Sequence, residues 1–168
     1  MLFRSVQAGH LLGSAFIVAE LAGSRTILFG GDLGRYGWPV LPDPSPAPEA
    51  DVVLVESTYG NQQHAADDNG DALATVIRET ASNGGKLIVP AFAVGRVEEL
   101  LYWVRRLEQE HRIPVLPVYV DSPMATEALR FYTSRVSELD ADMQPTKGSA
   151  VFGSTRFQTI ASPQQSKE

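Results

Sequence analysis

The chain has 168 residues, 43% of them apolar, a formal net charge of −6 and no cysteine. That length and apolar content suit one ordinary domain or two incomplete lobes, and argue against a disordered chain. The missing cysteines exclude a disulfide scaffold and any thiolate metal site, and the acidic balance excludes a chain-wide electrostatic surface for nucleic acid.

Only histidine, aspartate and glutamate remain as metal ligands. A nucleic-acid substrate would need a local basic patch or a metal to neutralise its phosphates. No apolar run approaches the ~20 residues that span a bilayer, so no membrane partner is expected. The N-terminus M-L-F-R-S-V-Q-A-G-H lacks a basic-then-apolar signal pattern, which points to the cytoplasm.

The first thirty residues are glycine-punctuated and β-rich. Ala15 to Glu20 reads as a strand, Ala22 to Arg25 as a turn and Thr26 to Phe29 as the return strand of a hairpin. Gly9-His10 stands before this hairpin and Gly30-Gly31-Asp32-Leu33-Gly34-Arg35 after it. A histidine and an aspartate, both metal-competent, therefore sit in loops joined by one short hairpin. Two ligands do not make a tight site, because a catalytic zinc takes three from the protein. The chain has three histidines, His10, His64 and His111. Tyr36 to Glu49 carries five prolines, which predicts an extended surface connection into a second lobe.

Val52 to Val55 is an apolar run that predicts a buried strand. It ends in Glu56, Ser57 and Thr58, followed by a turn at Tyr59 to Asn61. An acid delivered past a strand's carboxyl end needs a partner if it is buried, and such positions are where open α/β sheets build ligand sites. Asp67 and Asp68 open a helix over Asp71 to Ser82 with Ala72, Leu73, Val76 and Ile77 inward, and Asn83-Gly84-Gly85 stops it. Lys86 to Pro90 predicts a second buried strand. The loop Ala91 to Arg96 leads to a helix with Val97, Leu100, Leu101, Val104 and Leu107 on one face. Glu98 and Glu99 lie in its first turn, where the helix dipole favours them. Val115 to Val120 predicts a third strand. Ser122 as N-cap and Pro123 as first helical residue start a last helix that buries Ala125, Ala128, Leu129, Tyr132 and Val136. Ser149 to Ile160 has room for one more short element. From Asp51 the order is β, α, β, α, β, α, which argues for a parallel sheet with helices on its faces.

Five segments then carry a resemblance: A-G-H-L-L-G-S-A at Ala8 to Ala15, F-G-G-D-L-G-R at Phe29 to Arg35, V-E-S-T-Y-G-N at Val55 to Asn61, P-A-F-A-V-G-R at Pro90 to Arg96 and D-S-P-M-A at Asp121 to Ala125. In this order they resemble the β-CASP branch of the metallo-β-lactamase superfamily, which holds RNA-processing nucleases. The resemblance implies part of an αββα metallo-β-lactamase lobe over residues 1–50. A truncated parallel-sheet β-CASP lobe follows over 51–168, and both lobes are incomplete. It implies His10 and Asp32 as zinc ligands, and Glu56 as the catalytic-site acid that supports a later histidine. Ser57, Thr58, Arg96 and Ser122 become residues that hold substrate phosphate, and His64 a histidine of undefined role. It implies two Zn²⁺ in the complete protein and phosphodiester hydrolysis of RNA, with DNA as the rival substrate. The family's first ligand cluster H-x-H-x-D-H and its later histidines are absent, and Gly30 stands where relatives often carry threonine. The chain is thus expected to be an internal fragment, inactive alone, whose uncovered apolar surface favours self-association. The rival class is a non-catalytic module that binds RNA or a partner protein.

Overall fold

The computed structural model describes residues 1–63, 66, 68–143, 151–160, 162 and 164–167. His64, to which no role was assigned, lies outside the described residues, as does Asp67. The chain is mixed α/β and clusters into two compact units. One comprises Met1–His64 with Ser137–Asp142, the other Ala65–Val136 with Met143–Glu168.

The first unit is a four-stranded sheet in the order β1-β2-β3-β4, formed by β1 (Leu2–Gln7), β2 (Ala15–Glu20), β3 (Thr26–Phe29) and β4 (Val52–Leu54). The expected hairpin is β2–β3, antiparallel with Glu20 opposite Thr26. β1 was not foreseen, since Leu2 and Phe3 stay exposed and give no alternation. It is a strand because β2 offers it an antiparallel edge. Phe16, Val18, Leu28 and Ala8 form the small core, with Val6 and Ala50 packed on it.

β4 does not join a sheet with the later strands. It pairs in parallel with β3, Ile27 opposite Val52. The cause is a reciprocal set of bonds at the strand entrances. Thr26 N–H donates to Asp51 Oδ2 at 2.7 Å, and Asp51 N–H donates to the Thr26 carbonyl and hydroxyl at 3.1 Å each. The Thr26 amide, and then its hydroxyl, hold the Asp51 carboxyl below its ordinary range. The expectation that Val52 to Val55 is buried also fails. β4 is the edge of this sheet, and these four side chains remain 47–62% exposed. The proline-rich stretch, expected on the surface, is partly inside. Val40 and Pro44 are buried, Ser45 N–H donates to the Gln7 carbonyl, and Asp140 N–H donates to the Val40 carbonyl.

The second unit holds α1 (Asp71–Ser82), α2 (Arg96–Gln109), β5 (Pro117–Val120), α3 (Pro123–Thr133) and β6 (Arg156–Thr159). β5 and β6 pair in parallel, whereas the expected parallel sheet of Val52–Val55, Lys86–Pro90 and Val115–Val120 is not formed among the described residues. Lys86–Pro90 is not a strand. It has no hydrogen-bonded neighbour among the described residues, and Ile88 stays 85% exposed. An apolar run becomes a strand only where a ladder partner takes its N–H and C=O groups.

Asp68 starts α1, its carboxylate accepting from the Gly70 and Ala72 amides. Leu107 of α2, Ala74 and Ile77 of α1, and Ile113 make a core cluster, with Leu73, Val104 and Leu116 packed against it. The α1 face is therefore rotated from the expected one, with Ala72 and Val76 outside and Ala74 inside. Glu98 also departs from expectation. It is fully buried, with neither carboxylate oxygen hydrogen-bonded among the described residues. Desolvation pushes its carboxyl up from the usual glutamate value of 4.5.

Leu107→Ala should destabilise the second unit by about 2–5 kcal/mol, the usual cost of an unfilled core cavity, as read from urea denaturation. The folded state holds the Glu98 proton to higher pH than the unfolded chain does. Stability should therefore fall as pH rises above 4.5, and Glu98→Gln should flatten that slope in thermal melts.

Candidate functional site

His10, Asp32 and Glu56 all lie within the first unit. The loop Ala8–Ser14 is closed by its own backbone. Ala8 N–H donates to the Ser14 carbonyl at 3.0 Å, and Ser14 Oγ accepts from the His10 and Leu11 amides. Gly9 has φ 67, and a Cβ there would lie 2.9 Å from Pro44 N, so only glycine fits the turn that presents His10. The second loop, Gly30 to Arg35, is tied at both ends. Gly30 N–H donates to the Leu54 carbonyl at 2.8 Å, and Gly34 N–H to the Ala8 carbonyl at 3.0 Å. A Cβ on Gly34 would sit 2.4 Å from the Gly9 carbonyl. The two loops touch backbone to backbone there.

This contact brings three of the sequence-predicted residues around the backbone of one residue, Leu33. His10 Nδ1 lies 3.3 Å from the Leu33 carbonyl oxygen. That oxygen only accepts, so the bond requires the proton on Nδ1 and leaves the Nε2 lone pair free. Nε2 in turn faces Asp32 Oδ2 at 3.9 Å, with both side chains open to solvent. On the other side of the same residue, Leu33 N–H donates to Glu56 Oε1 at 2.9 Å, and Thr58 N–H reaches Glu56 Oε2 at 3.4 Å. The Leu33 amide first, then Thr58, hold the Glu56 carboxyl below its ordinary range.

As an exposed ion pair, His10–Asp32 would add little stability. As donors they are one imidazole nitrogen and one carboxylate oxygen, set apart by a distance that a metal ion ~2.0–2.2 Å from each would span. A backbone carbonyl on the other ring nitrogen is the orienting contact that ligating histidines usually have. Two donors still fall short of the three a catalytic zinc takes, and among the described residues no group of three His, Asp or Glu comes together. These residues fit part of a metal centre and do not complete one.

Ser57 and Thr58 follow Glu56 in an exposed turn, where Gly60 N–H donates to the Ser57 carbonyl. Arg96 and Ser122 belong to the second unit. Arg96 is the first residue of α2 rather than a loop residue, and it pairs with Glu99 at 2.6 Å. Ser122 caps α3, its Oγ accepting from Ala125 N–H at 3.2 Å. Sequence reasoning missed Ser14 and the Leu33 peptide. The Gly13-Ser14 step four residues after His10 is a legible turn signal. A backbone amide and carbonyl carry no residue-type signal at all.

Residues 97–168 match the Beta-Casp domain family. Ribonuclease TTHA0252 of Thermus thermophilus is 44% identical over 139 residues, covering 82% of this chain and 32% of that protein. The RNase J-like protein of Methanocaldococcus jannaschii is 34% identical over 142 residues, 82% of this chain and 33% of its own length. Endoribonuclease YSH1 of Kluyveromyces lactis is 30% identical over 148 residues, 84% of this chain and 19% of its own. The chain belongs to the β-CASP branch of the metallo-β-lactamase superfamily. It spans about a third of the length of the first two of these relatives and about a fifth of the third.

Gly34→Ala should cost at least the 1–3 kcal/mol typical of an overpacked site, about what forcing two backbones apart requires, as measured by urea denaturation. The folded-state carboxyl of Glu56 titrates below its unfolded value of 4.5. Its contribution to stability is therefore complete above that pH and lost as pH falls through the folded value. Glu56→Gln should reduce the acid-side loss in melting temperature between about pH 3 and pH 6.

Proposed function

We propose that this chain is part of a zinc-dependent RNA-processing nuclease that hydrolyses phosphodiester bonds, with His10 and Asp32 as two of its metal ligands. The observation that carries this reading is the approach of His10 Nε2 to Asp32 Oδ2 at 3.9 Å while Nδ1 is occupied by the Leu33 carbonyl. The names of the relatives, ribonuclease and endoribonuclease, support RNA as the substrate. DNA is the rival substrate, and a requirement for the 2′-hydroxyl in cleavage separates the two.

When bound, zinc supplies positive charge against phosphate oxygens and lowers the pKa of a bound water. The chain's own residues hold and orient. The Leu33 carbonyl keeps the His10 proton on Nδ1, so that Nε2 stays a donor. Glu56 grips the Leu33 amide, which makes it a positioning residue for the loop that carries Asp32. Ser57 and Thr58 offer exposed hydroxyls for a substrate phosphate. Ser122 accepts a capping bond and keeps its own O–H to donate. Arg96 keeps guanidinium donors beyond the one on Glu99. The remaining zinc ligands would come from the longer protein.

In the full-length, zinc-loaded protein, Asp32→Asn should lower RNA cleavage by roughly 100-fold or more, on the scale of losing a metal ligand or its close support. Cleavage that is indifferent to this substitution would overturn the reading. The 168-residue chain itself should bind zinc weakly and cleave nothing. A sub-micromolar dissociation constant in a calorimetric titration would contradict that. A second reading, a non-catalytic RNA- or partner-binding module, is favoured by the incomplete donor set among the described residues. It predicts RNA binding that chelators do not affect, in a full-length protein that does not cleave.

A further inference from the structure

The loop that carries Asp32 runs on into a turn, Arg35-Tyr36-Gly37-Trp38, that the nuclease reading leaves unused. The turn is held at both ends. Gly34 N–H donates to the Ala8 carbonyl at 3.0 Å, and Gly37 N–H donates to Asp43 Oδ1 at 2.7 Å. Gly37 has φ 66, a backbone that glycine adopts without strain. Between these anchors the Arg35 guanidinium lies over the Trp38 ring, 4.0 Å from its centroid. The ring of Tyr36 stands 69% exposed at the tip.

Arg96, Arg106, Arg112 and Arg130 all face carboxylates within 4.0 Å. Among the described residues Arg35 has none within that distance, and its contact is the indole face. Residues 1–64 contain only three cationic side chains besides histidine, Arg4, Arg25 and Arg35, against six acids. An unneutralised guanidinium therefore stands three residues from Asp32 in an acidic stretch. A lone exposed tyrosine carries no information. An exposed tyrosine next in sequence to a guanidinium that is laid on tryptophan, with no carboxylate within 4.0 Å among the described residues, is a different surface. Single-stranded nucleic acid is held by this pair of contacts, an aromatic face under a base and a cation on the backbone. Arg35 Cα is at most about 11 Å from Asp32 Cα along the chain, so a strand that crosses the His10–Asp32 pair also reaches the turn.

We propose that Arg35–Trp38 is a platform for one unpaired nucleotide of the RNA strand. Tyr36 stacks on the base, and Arg35, steered by Trp38, donates to a phosphate. The choice of RNA as ligand rests on the nuclease reading of the neighbouring site. The platform itself needs no metal.

The test uses the 168-residue chain and a fluorescently labelled single-stranded oligouridine RNA, with chelator present, followed by anisotropy across a salt series. Tyr36→Ala should weaken binding about 5- to 100-fold, the range for loss of one base–aromatic stack, and Tyr36→Phe should bind as the parent chain does. Arg35→Ala should lower the slope of log affinity against log salt by about 0.7, the value for one single-strand phosphate contact. Arg35→Lys should restore that slope without the full affinity. Arg130→Ala, at an exposed pair in the other unit, should change nothing. Parent-like binding by both Tyr36→Ala and Arg35→Ala would overturn the platform, as would tighter binding of duplex than of single strand, or no RNA binding at all. Asp32-dependent cleavage by the full-length protein decides the nuclease reading separately, so either idea can fail while the other stands.

Discussion

The backbone of Leu33 is the constraint on which the candidate site depends. Its N–H is held by Glu56 and its carbonyl by His10 Nδ1. The two adjoining peptide groups of one residue thus link an acid from the end of β4, a histidine from the β1–β2 loop and the aspartate beside it. None of these side chains is buried deeply enough for packing to orient it. Hydrogen bonds to the backbone do so instead. That stretch of backbone is in turn fixed by Gly34, which lies so close to Gly9 and Ala8 that no side chain fits between the loops. Ser14 and Pro44 brace the histidine loop from its other sides. The sheet matters to function chiefly because the β3–β4 pairing sets Glu56 against Leu33.

Charge follows a similar logic of local arrangement over bulk composition. The chain is acidic, and two of its ionisable groups show what local surroundings do. Glu98 is buried without a hydrogen-bond partner among the described residues and is driven toward its neutral form. Arg35 rests on an indole ring rather than a carboxylate. The first is a local cost inside α2. The second is an accessible cation three residues from Asp32, which faces His10. An acidic protein that handles a polyanion needs such local positive features or a metal, and both readings of the first unit rest on that requirement.

Apolar surface at β4 and at Lys86–Pro90 remains open. In strand-forming sequence, exposure of this kind means that the backbone edge has no ladder partner in the described chain. The matched stretch makes up about a third of two of the relatives and about a fifth of the third. Of the two apolar runs read as buried strands, Val52 to Val55 supplies the exposed strand β4, and Lys86–Pro90 forms no strand. Their burial was not theirs to decide, because a strand is buried by its neighbours.

Some features were therefore legible in residue order. The β2–β3 hairpin, the extent of α1, and the start of α3 with its Ser122 cap all follow from periodicity, glycine turns and capping chemistry, which act over a few residues. The pairing of His10 with Asp32 as candidate ligands was legible from residue type and glycine flanks. The tertiary structure decided what depends on contacts across the chain. It set β4 beside β3 through Asp51 and Thr26. It left Lys86–Pro90 without a ladder partner, rotated the buried face of α1 and buried Glu98. It also chose the Leu33 amide and carbonyl as the hinge of the site. The reason is physical: turns and caps are set by neighbours in sequence, whereas strand partners, burial and backbone hydrogen bonds to a site are set by neighbours in space. A backbone amide leaves no mark in the sequence by which to find it.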